Sequence, residues 1–306
     1  MVENNVIRGE LFSIGSPYSF LGLEKTPEAF DRAQVVILPV PYDGTTTYQA
    51  GTREGPRAII MASRELEPFD EETLIEPYRA GIYTLNELDV TVSSPEQMVT
   101  RVAEAGREII RAGKLPVMIG GEHLLSLGMI RAIADEFGNN WGILHIDAHA
   151  DLRESYQGSR FSNACVMRLA LNYAPLVSVG IRSLTKEEFD LARSHPISIF
   201  FCREFLEDRT LWERALECIP QNVYVTIDLD ALDPSIMPSV GTPEPGGMGW
   251  YELTGFLKKV FSSKNVLGFD VMELRPIPNL VAPDFLAARL IYKLIAYLLQ
   301  AGRLSM

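Results

Sequence analysis

The sequence predicts one large α/β domain with a mostly parallel sheet covered by helices on both faces. Short apolar runs rich in β-branched residues alternate along the chain with amphipathic stretches. The runs are apolar throughout, which is typical of strands buried on both faces. No repeat, low-complexity tract or linker divides the 306 residues. We therefore expect a single domain spanning residues 1–306.

Seven runs are predicted as strands, and the stretches between them as helices. The strand ranges are 35–39, 116–119, 143–147, 176–180, 197–201, 223–228 and 266–271. Two helix starts are marked: Ser94 is an N-cap before Pro95, with Gln97 at the capping-box position, and Thr185 to Glu188 repeats the signal. Ligands in such sheets bind at the carboxyl ends of the strands.

The charge, the apolar runs and the cysteines of the chain exclude several classes of function. Lys and Arg number 28 against 40 acidic residues, a net charge of −12, which disfavours nucleic acid and anionic membranes and favours cationic ligands. The N-terminus MVENNV lacks a basic and apolar leader, and no apolar run approaches the roughly 18 residues of a membrane span. We expect a cytoplasmic protein. Cys165, Cys202 and Cys218 are an odd, irregularly spaced set and are interpreted as reduced thiols.

The segment HIDAHAD at 145–151 places His145, Asp147, His149 and Asp151 at alternate positions. Alternate side chains of an extended chain share one face, with Cα atoms about 6.6 Å apart. The pattern predicts a site for two divalent metals, although a surface turn or structural polar cluster is the alternative for this motif alone. His145 lies inside the strand, which favours a buried supporting role over ligation.

Two further strand ends supply candidate ligands. His123 follows one strand in GGEH, and Asp228 and Asp230 end another, again two residues apart. Oxygen-rich coordination with two imidazoles suits Mn²⁺, with other divalent ions as alternatives, and four aspartates balance two such ions. In two-metal hydrolases the ions lie about 3.5–4 Å apart and a bridging water becomes the nucleophile. The remaining histidine, His195, is interpreted as a surface loop residue.

These residues resemble the ureohydrolase family of arginases and agmatinases, the agmatinase branch most closely. The matching segments are PYDGTTTYQAGTREGPRAI (41–59), GGEH (120–123), HIDAHADLR (145–153), VGIRS (179–183), TIDLDALDPSIMPSVGTPEPGG (226–247) and MELRP (272–276). The resemblance implies a three-layer α/β/α fold with about eight strands and a homotrimer or homohexamer. It also implies which residues hold each Mn²⁺: His123, Asp147, Asp151 and Asp228 for one ion, and Asp147, His149, Asp228 and Asp230 for the other.

The resemblance also implies a reaction. Glu273 lies in a segment that matches the family's guanidinium-binding motif, and a carboxylate pairs with a guanidinium through two parallel hydrogen bonds. The alternative for Glu273 is a structural ion pair with Arg275. Hydroxide would attack the guanidino carbon, and urea and an amine would leave. Asp151 or Asp230 would relay the proton.

The chain departs from the family pattern at two positions. Asn163 stands where a histidine is usual, and Glu122 stands where Asp is common. Asparagine cannot titrate, so the general-acid role cannot be assigned to it. We expect Asn163 to contact substrate, with slower turnover or a shifted substrate preference as the result.

The expected substrate depends on the loop LRESYQGSRF (152–161). In arginases, which this chain resembles, a polar loop with Asn and Ser holds the α-amino-acid end of arginine, and that pattern is missing here. We expect a small cationic guanidino substrate, first agmatine, giving putrescine and urea. Glu154 or Glu244 would attract its distal ammonium, unless both are solvent-exposed loop acids. Aminopropylagmatine or another guanidino compound is the close alternative. A catalytically weak metal-binding scaffold or sensor is a further one. A deacetylase of distantly similar fold is disfavoured by the second pair of carboxylates and by Glu273.

Overall fold

A computed structural model describes residues 17–305, and an eight-stranded sheet lies at its centre. Each pair of neighbouring strands is parallel. The strands are β1 (Val35–Val40), β2 (Ile82–Thr84), β3 (Leu115–Gly120), β4 (Gly142–Ile146), β5 (Leu176–Ile181), β6 (Ile197–Phe201), β7 (Asn222–Asp228) and β8 (Asn265–Met272). Their order across the sheet is β2-β1-β3-β8-β7-β4-β5-β6.

Helices cover both faces of this sheet. They are α1 (Pro27–Arg32), α2 (Gly55–Ser63), α3 (Pro95–Arg111), α4 (Ser126–Phe137), α5 (Val166–Ala170), α6 (Lys186–Ser194), α7 (Cys202–Glu207), α8 (Thr210–Cys218), α9 (Trp250–Ser263) and α10 (Ala282–Gln300). Successive β1 side chains enter different cores: Val35 and Ile37 pack with α2 and with α7 to α10, whereas Val36 and Leu38 pack with α3, α4 and α5. The three-layer α/β/α prediction is confirmed.

The seven predicted strands are all present, with no end shifted by more than one residue. The eighth, β2, escaped prediction because three residues are too short to show a pattern, and it is held by pairing with β1. Both helices begin at the predicted caps, but only the second has a complete capping box. The Ser94 hydroxyl accepts the Gln97 N–H at 3.2 Å, and Thr185 and Glu188 form a complete capping box.

The structure also describes the three cysteines, His195 and the length of the helices. Cys165 and Cys202 are buried, Cys218 is exposed, and all three are free thiols. His195 is exposed at the end of α6. Within residues 17–305, no helix combines the length and apolarity that crossing a membrane requires. The segment MVENNV lies outside the described residues.

Strand order brings the polar segments together. All eight strands are parallel, so their carboxyl ends lie along one edge of the sheet. The four central strands, β3, β8, β7 and β4, are immediate neighbours although they are distant in sequence. Each is followed at once by one of the segments that carry candidate site residues, so these segments meet above the middle of the sheet.

Candidate metal centre

The first histidine of the cluster faces three carboxylates. Its Nδ1 lies 3.0 Å from Asp147 Oδ2, 3.2 Å from Asp228 Oδ2 and 3.6 Å from Asp151 Oδ2. This is His123, which begins a short 3₁₀ turn directly after β3 and is 1% exposed. Although Nδ1 is buried and close to these oxygens, it makes no well-formed hydrogen bond. A buried lone pair aimed at three carboxylates is the arrangement that a cation satisfies.

A buried chain of hydrogen bonds fixes the ring of His123. Its Nε2 lies 2.8 Å from Thr226 Oγ1, and the Thr226 hydroxyl donates to Asp270 Oδ1 at 2.6 Å. Tyr224 also donates to Asp270, through its hydroxyl at 2.6 Å. Since the Thr226 proton is directed to Asp270, Thr226 accepts the proton of Nε2. The imidazole is thereby held as the tautomer whose Nδ1 lone pair is free for a metal.

The second histidine forms a neighbouring group around Asp147. His149 Nδ1 lies 2.9 Å from Asp230 Oδ2 and 3.5 Å from Asp147 Oδ1. Asp147 therefore has one oxygen near His123 and the other near His149, so its carboxylate lies between two potential cation positions. Two ligand groups within metal-binding distance share this residue.

His145 is close enough to these groups to count as a ligand by distance. Its ring, however, is engaged on both sides: Nε2 lies 2.8 Å from Asp147 Oδ2, and Nδ1 lies 3.1 Å from Ser178 Oγ. Asp228 belongs to the same cluster, because its Oδ2 lies 3.2 Å from His123 Nδ1. We therefore assign His145 to orienting Asp147 and retain Asp228 among the proposed ligands.

The pKa values of the clustered carboxyl groups and of His123 show that this site favours added positive charge. Burial first, and then the charge of nearby carboxylates including Asp147, raises the pKa of Asp151, Asp228 and Asp230 above its usual value. Burial disfavours the charged form of His123, but the carboxylates of Asp147 and Asp228 outweigh it and raise its pKa. Protons thus compensate the charge that two divalent cations would compensate, and the residues fit a binuclear site.

Glu273 follows β8 and reaches the same cavity. It is 6% exposed, and its Oε1 accepts the main-chain N–H of His123 at 2.7 Å. Burial, followed by the charge of Asp228, raises its pKa well above the usual value. The alternative ion pair with Arg275 does not form within residues 17–305, because Arg275 instead donates from Nε to the Ala50 carbonyl at 3.0 Å.

Two site residues adopt left-handed backbone. Asp151 has φ of 54° and Glu273 has φ of 67°. Such conformations cost non-glycine residues about 1–3 kcal/mol and persist where the surrounding structure imposes them. Glu273 directly follows β8 and Asp151 lies five residues beyond β4, and both line the cavity.

The cavity above the metal centre has a volume of about 190 Å³. Of the predicted residues, it is lined by His123, His149, Asp151, Asn163, Asp228, Asp230 and Glu273. Sequence reasoning missed the lining residues Thr47, Arg153, Tyr156, Thr185, Glu188 and Thr242. The sequence marks Thr185 and Glu188 only as a helix cap. Thr47 and Thr242 lie in the family-like segments 41–59 and 226–247, in which no local pattern gives either residue a role.

The two loop acids differ in position. Glu154 is exposed and lies in an adjacent groove rather than in the cavity. Glu244 lies closer, with Oε1 at 3.8 Å from His149 Nε2. Arg182 holds the Glu244 main chain by donating from Nη2 to its carbonyl at 2.8 Å. The structure therefore leaves Glu154 as a surface acid and brings Glu244 to the edge of the metal cluster.

The sequence model of the arginase family matches residues 33–296 of the chain. The chain belongs to the arginase family. It is therefore a hydrolase with the fold of this family, and the cluster of histidine and aspartate side chains that could hold metal lies in this fold.

Relatives and solved structures agree with this assignment. The chain is 40% identical over 288 residues to an N(1)-aminopropylagmatine ureohydrolase of Synechocystis sp., covering 92% of this chain and 94% of the relative. It is 35% identical over 245 residues to an agmatinase of Pyrococcus horikoshii, covering 79% and 84%. The agmatine ureohydrolase structure of Thermoplasma volcanium is 27% identical, with a TM-score of 0.86 over 96% of this chain and 99% of that one.

Proposed function

We propose that this arginase-family enzyme hydrolyses an agmatine-type guanidine to urea and an amine at a pair of Mn²⁺ ions. The observation that carries the proposal is the shared position of Asp147 between His123 and His149, with Glu273 in the wall of the same cavity. The proposed ligands of the first Mn²⁺ are His123, Asp147, Asp151 and Asp228. Those of the second are Asp147, His149, Asp228 and Asp230.

Glu273 would orient the guanidinium. Its Oε1 is held by the His123 N–H, which fixes the carboxylate, and a planar guanidinium pairs with such a carboxylate in a defined direction. Two bound divalent ions would supply the Lewis acidity that lowers the pKa of water to near neutrality. Asp151 and Asp230 line the cavity and would hold the proton that must pass to the leaving amine.

Two substrates compete within this proposal. Agmatine would give putrescine, and N(1)-aminopropylagmatine would give the longer triamine. Relatives that carry the latter name are up to 40% identical to this chain, compared with 35% for the agmatinase of Pyrococcus horikoshii. An acidic chain of net charge −12 suits either cation. Glu244 at the edge of the cluster is the proposed partner of a distal ammonium, and the exposed Glu154 is the weaker candidate.

A urea-release assay tests the proposal. The Mn²⁺-loaded chain is incubated with agmatine, aminopropylagmatine, guanidinobutyrate and arginine, and kcat/KM is compared. We expect urea from the two agmatine-type substrates and at least about tenfold less from arginine, whose carboxylate meets an acidic site. An Asp228→Asn variant should lose both metal and activity. Absence of urea from every guanidine would instead favour the scaffold or sensor interpretation.

Assembly and location complete the proposal. We propose a cytoplasmic homotrimer or homohexamer. Size-exclusion chromatography with multi-angle light scattering at micromolar concentration checks the assembly, and a monomer would contradict it.

A further inference from the structure

Glu122 directly precedes the proposed metal ligand His123 in the chain, but its side chain is hydrogen-bonded to another loop. Its side chain is fully buried, and both carboxylate oxygens bind one residue, Thr45. The Thr45 main-chain N–H donates to Oε2, and the Thr45 hydroxyl donates to Oε1 at 2.6 Å. The GGEH turn is thereby joined to the loop that follows β1.

Thr45 extends this connection to the turn that carries Asn163. The Asn163 main-chain N–H donates to Thr45 Oγ1 at 3.1 Å. Because the hydroxyl proton of Thr45 is given to Glu122, its oxygen lone pairs remain available for Asn163. The two positions at which this chain departs from the family pattern, 122 and 163, are therefore ends of one hydrogen-bonded series.

The amide of Asn163 is oriented by its own turn. Its Oδ1 accepts the Ala164 main-chain N–H at 2.9 Å and the Ser162 hydroxyl at 3.2 Å, which uses both lone pairs. The Nδ2 amino group makes no hydrogen bond to any of residues 17–305, and Asn163 lines the cavity. Asn163 thus presents a hydrogen-bond donor to the cavity and no free acceptor.

A donor cannot bind a guanidinium, because every N–H of that cation is itself a donor. Water attack changes this. When the guanidino carbon becomes tetrahedral, its nitrogens lose their conjugation and gain lone pairs that accept hydrogen bonds. An interaction absent in bound substrate and present in the tetrahedral adduct raises kcat without changing KM.

We propose that Glu122 and Thr45 are positioning residues that hold Asn163 as a catalytic hydrogen-bond donor to a nitrogen of the tetrahedral adduct. The inference rests on the proposed guanidine hydrolysis. Glutamate at 122 has a structural reason, since aspartate is one methylene shorter and cannot keep both contacts with Thr45 at the same main-chain position.

The kinetic test compares Thr45→Val with Thr46→Val, a matched change one residue along the same loop. The Thr46 hydroxyl has only a 3.4 Å contact with the Asp43 carbonyl. In the Mn²⁺-loaded enzyme, we expect Thr45→Val and Asn163→Ala each to lower kcat about three- to tenfold with KM within twofold, as loss of one hydrogen bond predicts. Thr46→Val should match the parent, and Thr45→Ser should recover most of the loss.

The double variant Thr45→Val/Asn163→Ala tests whether Thr45 acts through Asn163. Positioning predicts a kcat equal to that of Asn163→Ala alone, whereas independent roles predict multiplied losses. Metal content per chain should stay at the parent value in all variants and in Glu122→Asp. Multiplied losses, a raised KM or lost metal in Thr45→Val would overturn the inference.

A readout without catalysis separates this inference from the proposed function. Hydrogen exchange of a peptide spanning residues 159–167 is followed by mass spectrometry. We expect faster exchange in Thr45→Val than in the parent or Thr46→Val, because the Asn163 N–H loses its acceptor. Equal exchange in all three proteins contradicts the relay even if urea is released. If Thr45→Val exchanges faster than the parent but the parent releases no urea, the proposed function is contradicted instead.

Discussion

At the residue scale, Glu273 combines several constraints on one side chain. It is a buried carboxylate in left-handed backbone, with one oxygen held by the His123 main chain. A hydrophobic side chain would remove the burial cost of the carboxylate and the repulsion from Asp228. A carboxylate in the cavity wall is what the proposed guanidinium binding requires.

Replacing Glu273 with Gln should separate substrate orientation from metal binding. We expect kcat/KM for agmatine-type substrates to fall at least about 100-fold, because a charged bidentate partner is lost. Metal content should be unchanged, since Glu273 is not a proposed ligand. Glu104→Gln is the control, because that acid is exposed on α3 and does not line the cavity. Parent-level activity in Glu273→Gln would remove Glu273 from the mechanism.

Replacing Asn163 with His tests the most evident departure from the family pattern. A histidine ring has no carbonyl oxygen for the Ala164 N–H, and it introduces a titratable group into the cavity. We expect a change in kcat or in the preference among the four guanidines of the substrate panel. An unchanged rate and specificity would show that Asn163 lies outside the working site.

At the scale of elements, α10 holds the loop between α2 and β2 through one buried cation. Lys293 is 3% exposed, and its Nζ lies 2.8 Å from Asp70 Oδ2 and 3.2 Å from both Glu71 Oε1 and Glu72 Oε2. The side chain of Asp70 is equally buried and also accepts from the Thr73 N–H at 2.8 Å. Removing the lysine would leave a buried carboxylate unpaired.

Lys293→Met should therefore lower the free energy of unfolding by about 3–5 kcal/mol, the cost of breaking a buried ion pair. The matched control is Lys186→Met, because Lys186 forms an exposed i,i+4 pair with Asp190 whose loss costs about 0.5 kcal/mol or less. Urea denaturation at pH 7 measures both changes. Equal losses in the two variants would show that the buried cluster adds no special stability.

The same cluster has a defined acid sensitivity. Burial acts to raise the pKa of Asp70, but hydrogen bonds from Lys293 and Thr73 outweigh it, and its pKa is lowered. A lowered carboxyl pKa contributes stability above the unfolded value of about 4, and this stability is lost as pH falls through the folded value. The difference between the parent and Lys293→Met should thus be largest near neutrality and shrink below about pH 4.

For the whole molecule, metal and stability are linked through the charge of the centre. The raised pKa values of Asp151, Asp228 and Asp230 mean that the folded metal-free chain keeps protons that the unfolded chain releases. The protons kept by the folded chain stabilise it at low pH. As pH rises from the unfolded pKa toward the folded one, this stabilisation is lost and the carboxylates repel one another. Divalent ions remove the repulsion and bind better once the protons have left.

Thermal unfolding with and without a chelator tests this linkage. We expect the melting temperature of the metal-loaded chain to exceed that of the chelated chain, by a margin that grows from pH 5 to pH 8. Without metal at pH 8, Asp230→Asn should melt higher than the parent, because one repelling charge is gone. A margin independent of pH, or a less stable metal-free Asp230→Asn, would contradict the account.

The sequence by itself determined the local features of this protein. Continuous apolar runs predicted seven of eight strands, and alternate spacing in HIDAHAD and in Asp228-Leu229-Asp230 predicted paired ligands at strand ends. These signals are readable because strand periodicity and helix capping depend on residues a few positions apart. The three-residue β2 lacked such a signal and exists because β1 offers it an edge.

Only the tertiary structure decided which distant segments meet. The order β3-β8-β7-β4 makes neighbours of His123, Glu273, Asp228 and Asp147, and no local pattern encodes that order. It also placed Glu154 outside the cavity and joined Glu122 to Asn163 through Thr45. These outcomes depend on long-range pairing and on the path of loops, whose positions are set by the contacts of the whole fold rather than by the residues beside them in the chain.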